Sequence, residues 1–234
     1  MTSKRHLYER KVNKVVIPGT TWLSFPVMGK QFDGSPVDRR VAQLFALVTE
    51  ALAGATQALL RGEIALGNAV VEHDRLIDQL TSEVEQAVWD QIDAESPSGD
   101  QLRRLIGILQ ILPELERSAD LAEHIAQRAV FNLGAEMSPL SRGIVQRMTE
   151  VALEMWKAAA DAFAAHVPPV IDLDEDDEEI DILHERLTGE VARGEMPTAV
   201  AAQVTLLARF YERLGDHAVN IASRIAKIPP PAGG

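Results

Sequence analysis

One segment of this chain occurs twice, and that duplication constrains the fold more than any other feature of the sequence. Residues 116–128 and 212–224 are identical at seven of thirteen positions when they are aligned at an offset of 96. Upstream, residues 74–80 align with residues 177–183 at an offset of 103. We place the difference between the two offsets in the hairpin between the second and third helices, because loops tolerate changes in length. The chain is therefore predicted to contain two copies of one folding unit.

Each copy is predicted to contain three helices. Between residues 41 and 59 the apolar side chains recur at steps of three and four, which is the spacing of one face of an α-helix. That face consists of Val41, Leu44, Phe45, Val48, Leu52, Ala55 and Leu59. Serine followed by proline at 35–36 and 138–139 is typical of a helix start, because serine caps free N–H groups and proline has none to satisfy. Helix starts are predicted near Pro36, Pro97, Pro139 and Pro197.

The fold class that follows is all-α, with two tandem three-helix bundles related by internal duplication. The first repeat is assigned to residues 35–135 and the second to residues 136–228. Residues 1–34 form an N-terminal extension of unknown role. We expect its apolar residues to dock on the body or in an interface, since they would make an adhesive patch if they were exposed. The proline-rich residues 229–234 are predicted to be a disordered tail.

Charge and composition exclude several classes of function. The formal net charge of −12 disfavours nonspecific binding to nucleic acid and to anionic membranes. The chain contains no cysteine, so disulfides, thiolate metal sites and thiol nucleophiles are all excluded. No run of about 18 apolar residues occurs, so we expect no membrane-spanning segment. The expected location is the cytoplasm, with any contact to a membrane made through partners.

Four pairs of acidic residues, two in each repeat, are the strongest candidates for chemistry. The members of each pair are four residues apart, so they share a helix face and repel one another unless a cation lies between them. Two such helices side by side would offer four carboxylates to hard metal ions. The candidate metal ligands are Asp74, Asp78, Glu116 and Asp120 in the first repeat and Asp177, Asp181, Glu212 and Asp216 in the second. Solvated acidic faces, with Arg117 and Arg213 forming surface salt bridges, remain the alternative.

Motifs for catalysis are absent from the sequence. There is no Gly-x-Ser-x-Gly elbow, no Gly-rich phosphate loop and no Glu-x-x-His pair of the di-iron kind. His73 and His217 adjoin candidate acids, but neighbours on a helix point about 100° apart, so neither is assigned as a ligand. Gly215 is expected to serve close helix contact or to leave room for a ligand. The protein is therefore predicted not to be an enzyme, with a metal-dependent hydrolase or oxidase and a metal-free helical adaptor as the alternatives.

The duplicated segment also resembles a known family. Residues 211–222 read Tyr-Glu-Arg-Leu-Gly-Asp-His-Ala-Val-Asn-Ile-Ala, which is similar to the signature helix of the PhoU family. The first copy, residues 115–126, departs from that signature at Ser118, Ala119 and Leu121. Residues 74–85 and 99–103 are similar to the family as well. The resemblance covers about residues 38–228 and leaves the N-terminal extension without a counterpart.

The resemblance implies both a structure and a function. The structure would be a pair of three-helix bundles with pseudo-two-fold symmetry, and multinuclear iron or zinc clusters would lie on the eight acids named above. The function would be the restraint of phosphate uptake and phosphate-starvation signalling. The implied partners are a phosphate ABC transporter and a sensor histidine kinase, with a homodimer also expected and no binding to nucleic acid.

Overall fold

The computed structural model describes residues 34–169 and 173–230. Its secondary structure consists of α1 (Pro36–Arg61), α2 (Ile64–Glu95), α3 (Gly99–Val130), α4 (Leu133–Glu136), α5 (Pro139–Ala165), α6 (Leu173–Ala192) and α7 (Thr198–Ile225). All regular structure in these residues is helical, as predicted. Residues 1–33 of the predicted extension, the start of the acidic run at residue 172 and the last four residues of the tail lie outside the described residues.

The helices pack in the order that the duplication predicts. Helices α1, α2 and α3 contact one another, and α5, α6 and α7 do the same. The two bundles then join through equivalent helices, because α1 packs on α5 and α3 packs on α7. The tandem pair of three-helix bundles is therefore confirmed. The predicted boundary between residues 135 and 136 falls just before the end of α4, and the residues from Gly34 onward form one compact unit.

Serine side chains set the helix starts that the sequence indicated. The hydroxyl of Ser35 accepts a hydrogen bond from the N–H of Asp38, whose carboxylate in turn accepts one from the N–H of Ser35. The hydroxyl of Ser138 accepts a hydrogen bond from the backbone at the start of α5. The start predicted near residue 97 lies two residues later, because Ser98 is the cap of α3. The one-turn helix α4 was not predicted, since four residues are too few to show a periodicity.

The placement of the length difference between the repeats in a longer first loop is wrong, because that loop is residues 96–98 in the first repeat and residues 193–197 in the second. The extra length lies in the helices, since α2 and α3 have 32 residues each and α6 and α7 have 20 and 28.

A cluster of hydroxyl groups lies in the core where α1, α5 and α7 meet. The hydroxyls of Thr56 and Tyr211 are 2.5 Å apart, and Thr149 donates to Tyr211 at 3.1 Å. Burial raises the pKa of Tyr211 to about 12. The indole N–H of Trp156 donates to the carbonyl of Leu214 at 3.1 Å. These polar groups are buried with their partners, so they do not weaken the core. Thr56 joins the first bundle to the second, whereas the Trp156 hydrogen bond joins two helices of the second bundle.

A buried ion pair joins the start of α1 to α3 and to the end of the described chain. Asp38 is fully buried and accepts a hydrogen bond from the guanidinium of Arg104. Arg104 also donates to the carbonyl of Pro229 at 2.9 Å. Beside it, Ile228 fills the space next to Gly107, where an added Cβ would lie 2.5 Å from Cγ1 of that isoleucine. Pro229 is thus attached to α3, whereas the sequence assigned it to a disordered tail.

Helix α1 is long and apolar enough to cross a membrane by length and composition, which the sequence search for an uninterrupted apolar run did not detect. Half of its most apolar stretch is buried inside the protein. It packs against α2, α3 and α5. The residues of its apolar face that have no exposed surface are Val41, Leu44, Val48, Leu52, Ala55 and Leu59. Those contacts are the ones expected of a core helix.

Candidate metal centres

The four candidate acids of the first repeat lie together between α2 and α3. Asp74, Asp78 and Asp120 each offer a carboxylate oxygen, and these three atoms all lie within 4.8 Å of one another. Glu116 belongs to the same group, because burial and then the charges of Asp78 and Asp120 raise its pKa. The fold therefore brings both acidic pairs of this repeat to one place, as their spacing predicted.

Asp74 is the residue most disturbed by this arrangement. Its pKa is raised to about 7, first by burial and then by the charges of its acidic neighbours, Asp78 and Asp120 foremost. Its Oδ1 atom is buried and has no hydrogen-bond partner. A buried oxygen that lacks a donor is costly for an ionised carboxylate, and a cation would remove that cost. The first group of acids thus fits a positively charged ligand.

The acids of the second repeat, between α6 and α7, also include a carboxyl group with a raised pKa and a buried carboxylate oxygen without a hydrogen-bond partner. The pKa of Asp177 is raised to about 6, first by burial and then by Asp216, Asp181 and Glu212. One carboxylate oxygen of Glu212 forms an ion pair with Arg209, while its Oε2 is buried without a partner. The alternative interpretation, a solvated acidic face, placed Arg213 in a surface salt bridge. Arg213 forms no ion pair within the described part of the chain. Among these residues, however, only the first repeat draws three carboxylate oxygens within 4.8 Å of one another.

Gly215 makes room for a carboxylate of the second group, which consists of Asp177, Asp181, Glu212 and Asp216. A Cβ added at this position would lie 2.5 Å from Oδ1 of Asp177 and 3.2 Å from Cδ1 of Ile180. The glycine therefore lets α6 approach α7 so closely that the carboxylate rests on the α7 backbone. The first repeat has Ala119 at the equivalent position, so this close approach is specific to the second repeat.

Replacing Gly215 with alanine is expected to weaken metal binding at the second group by moving the carboxylate of Asp177. The added methyl group favours the helix by about 1 kcal/mol, so the loss should appear in metal affinity more than in stability. Titration of the metal-free protein with Zn²⁺ measures the effect, and Ala119→Gly is the matched control in the first repeat. An unchanged affinity at the second group would contradict the assigned role of the glycine.

The structure adds acids that the sequence argument passed over. Glu123 acts on Asp74, and Glu85 acts on Glu116, in each case by raising the neighbour's pKa. Glu123 is three residues beyond Asp120, and Glu85 is seven beyond Asp78, so helical spacing alone could have indicated both. They were passed over because the second repeat has Val219 and Thr188 at the aligned positions. The first group is therefore the more acidic of the two.

His217 lies on a different side of α7 from the acids. It is buried against α3, where its Nδ1 is 2.8 Å from the hydroxyl of Ser118. That hydroxyl donates to the carbonyl of Glu114, so the imidazole Nδ1–H is the donor to the serine oxygen. Burial lowers the pKa of His217, and its Nε2 is 3.7 Å from the Glu114 carboxylate. This histidine belongs to the interface between the two bundles.

A family model described as the PhoU domain matches the chain twice, at residues 41–129 and 145–225. The chain belongs to the PhoU family. The two matches coincide with the two bundles, so each bundle is one PhoU domain. The acidic groups described above lie one in each domain.

Relatives and solved structures agree with this assignment. A phosphate-specific transport system accessory protein, PhoU homolog 2 of Mycobacterium tuberculosis, is 30% identical over 195 residues, covering 82% of this chain and 92% of the relative. A PhoU homolog of Rhizobium meliloti with the same description is 30% identical over 193 residues, covering 80% and 81%. The crystal structure of PhoU from Pseudomonas aeruginosa matches with a TM-score of 0.72 and 25% identity, covering 81% of this chain and 93% of that one. The PhoU structure from Streptococcus pneumoniae matches in fold, with a TM-score of 0.70 and 21% identity.

Proposed function

We propose that the protein is a regulator of phosphate uptake and phosphate-starvation signalling that acts by binding other proteins and not by turnover. The observation that carries the proposal is the pair of PhoU domains spanning both bundles, together with relatives described as accessory proteins of phosphate-specific transport systems. The proposed partners are a phosphate ABC transporter, its sensor histidine kinase, or both. The protein would act in the cytoplasm, as a homodimer, and reach the membrane through these partners.

The charge of the chain supports recruitment by proteins and not by lipid or nucleic acid. A net charge of −12 makes contact with anionic phospholipid or with a phosphate backbone unfavourable. A partner at the membrane must therefore supply specific contacts or a basic surface.

We further propose that the eight acids hold metal ions, with iron and zinc clusters as the first candidates. One buried carboxylate oxygen without a donor in each group supports this, as do the raised pKa values of Asp74 and Asp177. A bound cation would neutralise the mutual repulsion of the carboxylates. It would also tie α2 to α3 and α6 to α7, because each group draws its acids from two helices. A rigid pair of domains would then be offered to the partner.

Metal affinity at both groups of acids is expected to decrease as the pH is lowered. A cation binds the ionised carboxylates, so a proton on Asp74 competes below about pH 7 and a proton on Asp177 competes below about pH 6. Zinc titrations between pH 5.5 and 8, with proton release measured from the buffer dependence of the binding heat, test this. The same affinity across that range, with no proton released, would contradict the assignment of the two aspartates.

Affinity purification of the tagged protein from phosphate-replete cells tests the proposed partners. The expected result is recovery of a subunit of a phosphate ABC transporter, of a sensor histidine kinase, or of both, from detergent-solubilised membranes. A tagged unrelated helical protein of similar net charge is the control for adhesion. If neither class of partner is recovered above that control, including after chemical crosslinking in the cell, the proposed mode of action fails.

A further inference from the structure

The contact between α3 and α7 is antiparallel and nearly symmetric, but its two ends differ in chemistry. At one end Arg224 of α7 lies 3.8 Å from the carboxylate of Glu114 on α3. The duplication, at its offset of 96, makes Arg128 the equivalent of Arg224 and Phe210 the equivalent of Glu114. At the other end, accordingly, Arg128 lies over the ring of Phe210, with its guanidinium carbon 4.6 Å from the ring centre. One arginine thus faces an acid, whereas its counterpart faces an aromatic ring.

Two buried nitrogen atoms at this second end lack partners within the described part of the chain. Arg128 donates one hydrogen bond, to the carbonyl of His124 in its own helix, and forms no ion pair among these residues. Its Nε is buried without a partner, and so is Nδ1 of His124. The His124 ring stacks on Phe210, with ring centres 5.4 Å apart. Burial lowers the pKa of Arg128, and no neighbouring carboxylate offsets that effect.

Exposed apolar side chains lie at the same end of the contact. Phe131, three residues beyond Arg128, is 80% exposed, and Leu206, four residues before Phe210, is 44% exposed. Together they flank a half-buried positive charge that has no acidic partner within residues 34–169 and 173–230. We call this the Arg128 surface, and it consists of His124, Arg128, Phe131, Leu206 and Phe210.

We propose that the Arg128 surface docks a protein partner through a segment that presents a carboxylate side chain flanked by apolar residues. The proposal rests on the proposed function, in that the partner is one through which the protein regulates. An arginine already held against an aromatic ring loses little further freedom or hydration when a carboxylate binds it. Arginine and aromatic side chains in partly desolvated positions are also the residues on which binding energy concentrates.

The apolar flanks decide between a protein segment and a small anion. Inorganic phosphate could accept hydrogen bonds from Arg128, but it would leave Phe131 and Leu206 exposed to water. A protein segment covers all three at once. The remainder of the chain is strongly acidic, so a basic partner surface would find many carboxylates to bind elsewhere. At this surface, the positive charge of Arg128 would repel it. An acidic, apolar segment fits this surface in both charge and hydrophobicity.

A photocrosslinker placed at the exposed position 131, as Phe131→p-benzoylphenylalanine, tests the proposal in phosphate-replete cells. We expect one dominant crosslinked protein, and mapping of the crosslinked peptide should show an aspartate or glutamate among apolar residues. Adding Arg128→Met should lower the crosslink yield at least about tenfold, because the carboxylate of the bound segment then loses its countercharge. The matched control is Arg224→Met, at the equivalent position facing Glu114, which should leave the yield nearly unchanged.

A second variant distinguishes the loss of a contact from misfolding, in case Arg128→Met does not fold. Leu206→Ser changes a side chain that is already exposed, so it should lower the yield while thermal unfolding stays as in the parent. A crosslink that is insensitive to both variants, or a contact segment without an acid, overturns the proposal. A saturable shift of the Arg128 Nε–H resonance on titration with inorganic phosphate, without any crosslinked protein, assigns the surface to a free anion and overturns it too. A crosslinked partner that is unrelated to phosphate transport would instead uphold the surface and refute the proposed function.

Discussion

The double replacement Asp74→Asn with Asp120→Asn is expected to abolish metal binding at the first group and to stabilise the metal-free protein above pH 7. In the folded protein the pKa of Asp74 is about 7 instead of its usual 3.8. An acid whose folded pKa is raised favours unfolding once it is ionised, so the metal-free protein loses stability as pH rises from about 4 to about 7. Asparagine has nearly the same size and cannot ionise, so this loss disappears together with the metal ligands.

Metal content after purification without chelator, and urea unfolding in the presence of chelator at pH 5 and pH 8, measure both effects. The matched variant is Asp177→Asn with Asp216→Asn, which should empty the second group and leave the first loaded. If the first variant binds as much metal as the wild type, the ligand assignment is wrong. If its metal-free form shows the same loss of stability between pH 5 and pH 8 as the wild type, the electrostatic account of Asp74 is wrong.

The second large effect is expected at Arg104. Arg104→Ala leaves the fully buried carboxylate of Asp38 without its countercharge, and breaking a buried pair in this way destabilises a protein by about 3–5 kcal/mol. The same change removes the hydrogen bond to Pro229, so hydrogen exchange at the amides of Ala226, Lys227 and Ile228 should accelerate as well. Urea unfolding at pH 7 measures the loss of stability.

The neighbouring Arg103 provides the control for Arg104. Arg103 pairs with Asp100 on the surface, where both side chains are about 70% exposed. Arg103→Ala should change stability by less than about 1 kcal/mol, because exposed pairs contribute little. Equal losses for the two variants would show that the buried pair has no special role. The doubly apolar variant Asp38→Leu with Arg104→Met should recover part of the loss, since it leaves no buried charge.

The fold was predictable because two independent signals agreed. The period of the apolar residues gave helices, and the serine caps at Ser35 and Ser138 gave two of their starts. The repeat then related one bundle to the other. The acidic pairs converged for the same reason, since residues four apart on one helix must share a face, and the matching pair lies on the adjacent helix.

What could not be predicted depends on contacts between residues that are far apart in sequence. Asp38 and Arg104 lie 66 residues apart, and neither carries a local signal of burial beside the other. The antiparallel register of α3 against α7 likewise decides that His217 meets Ser118 and that Arg128 meets Phe210. Comparison of the two repeats finds only the acidic residues that both copies contain. It therefore missed Glu123 and Glu85, which act in the first repeat alone.

We propose that this PhoU-family protein restrains phosphate uptake and starvation signalling. The most direct test is the transcription of phosphate-starvation genes in phosphate-replete medium after deletion of the gene, with phosphate uptake measured in the same cultures. We expect these genes to be expressed, or uptake to change, despite ample phosphate, and a wild-type copy to restore the parental state. Parental expression and parental uptake in the deletion strain, with every paralogue also removed, would contradict it.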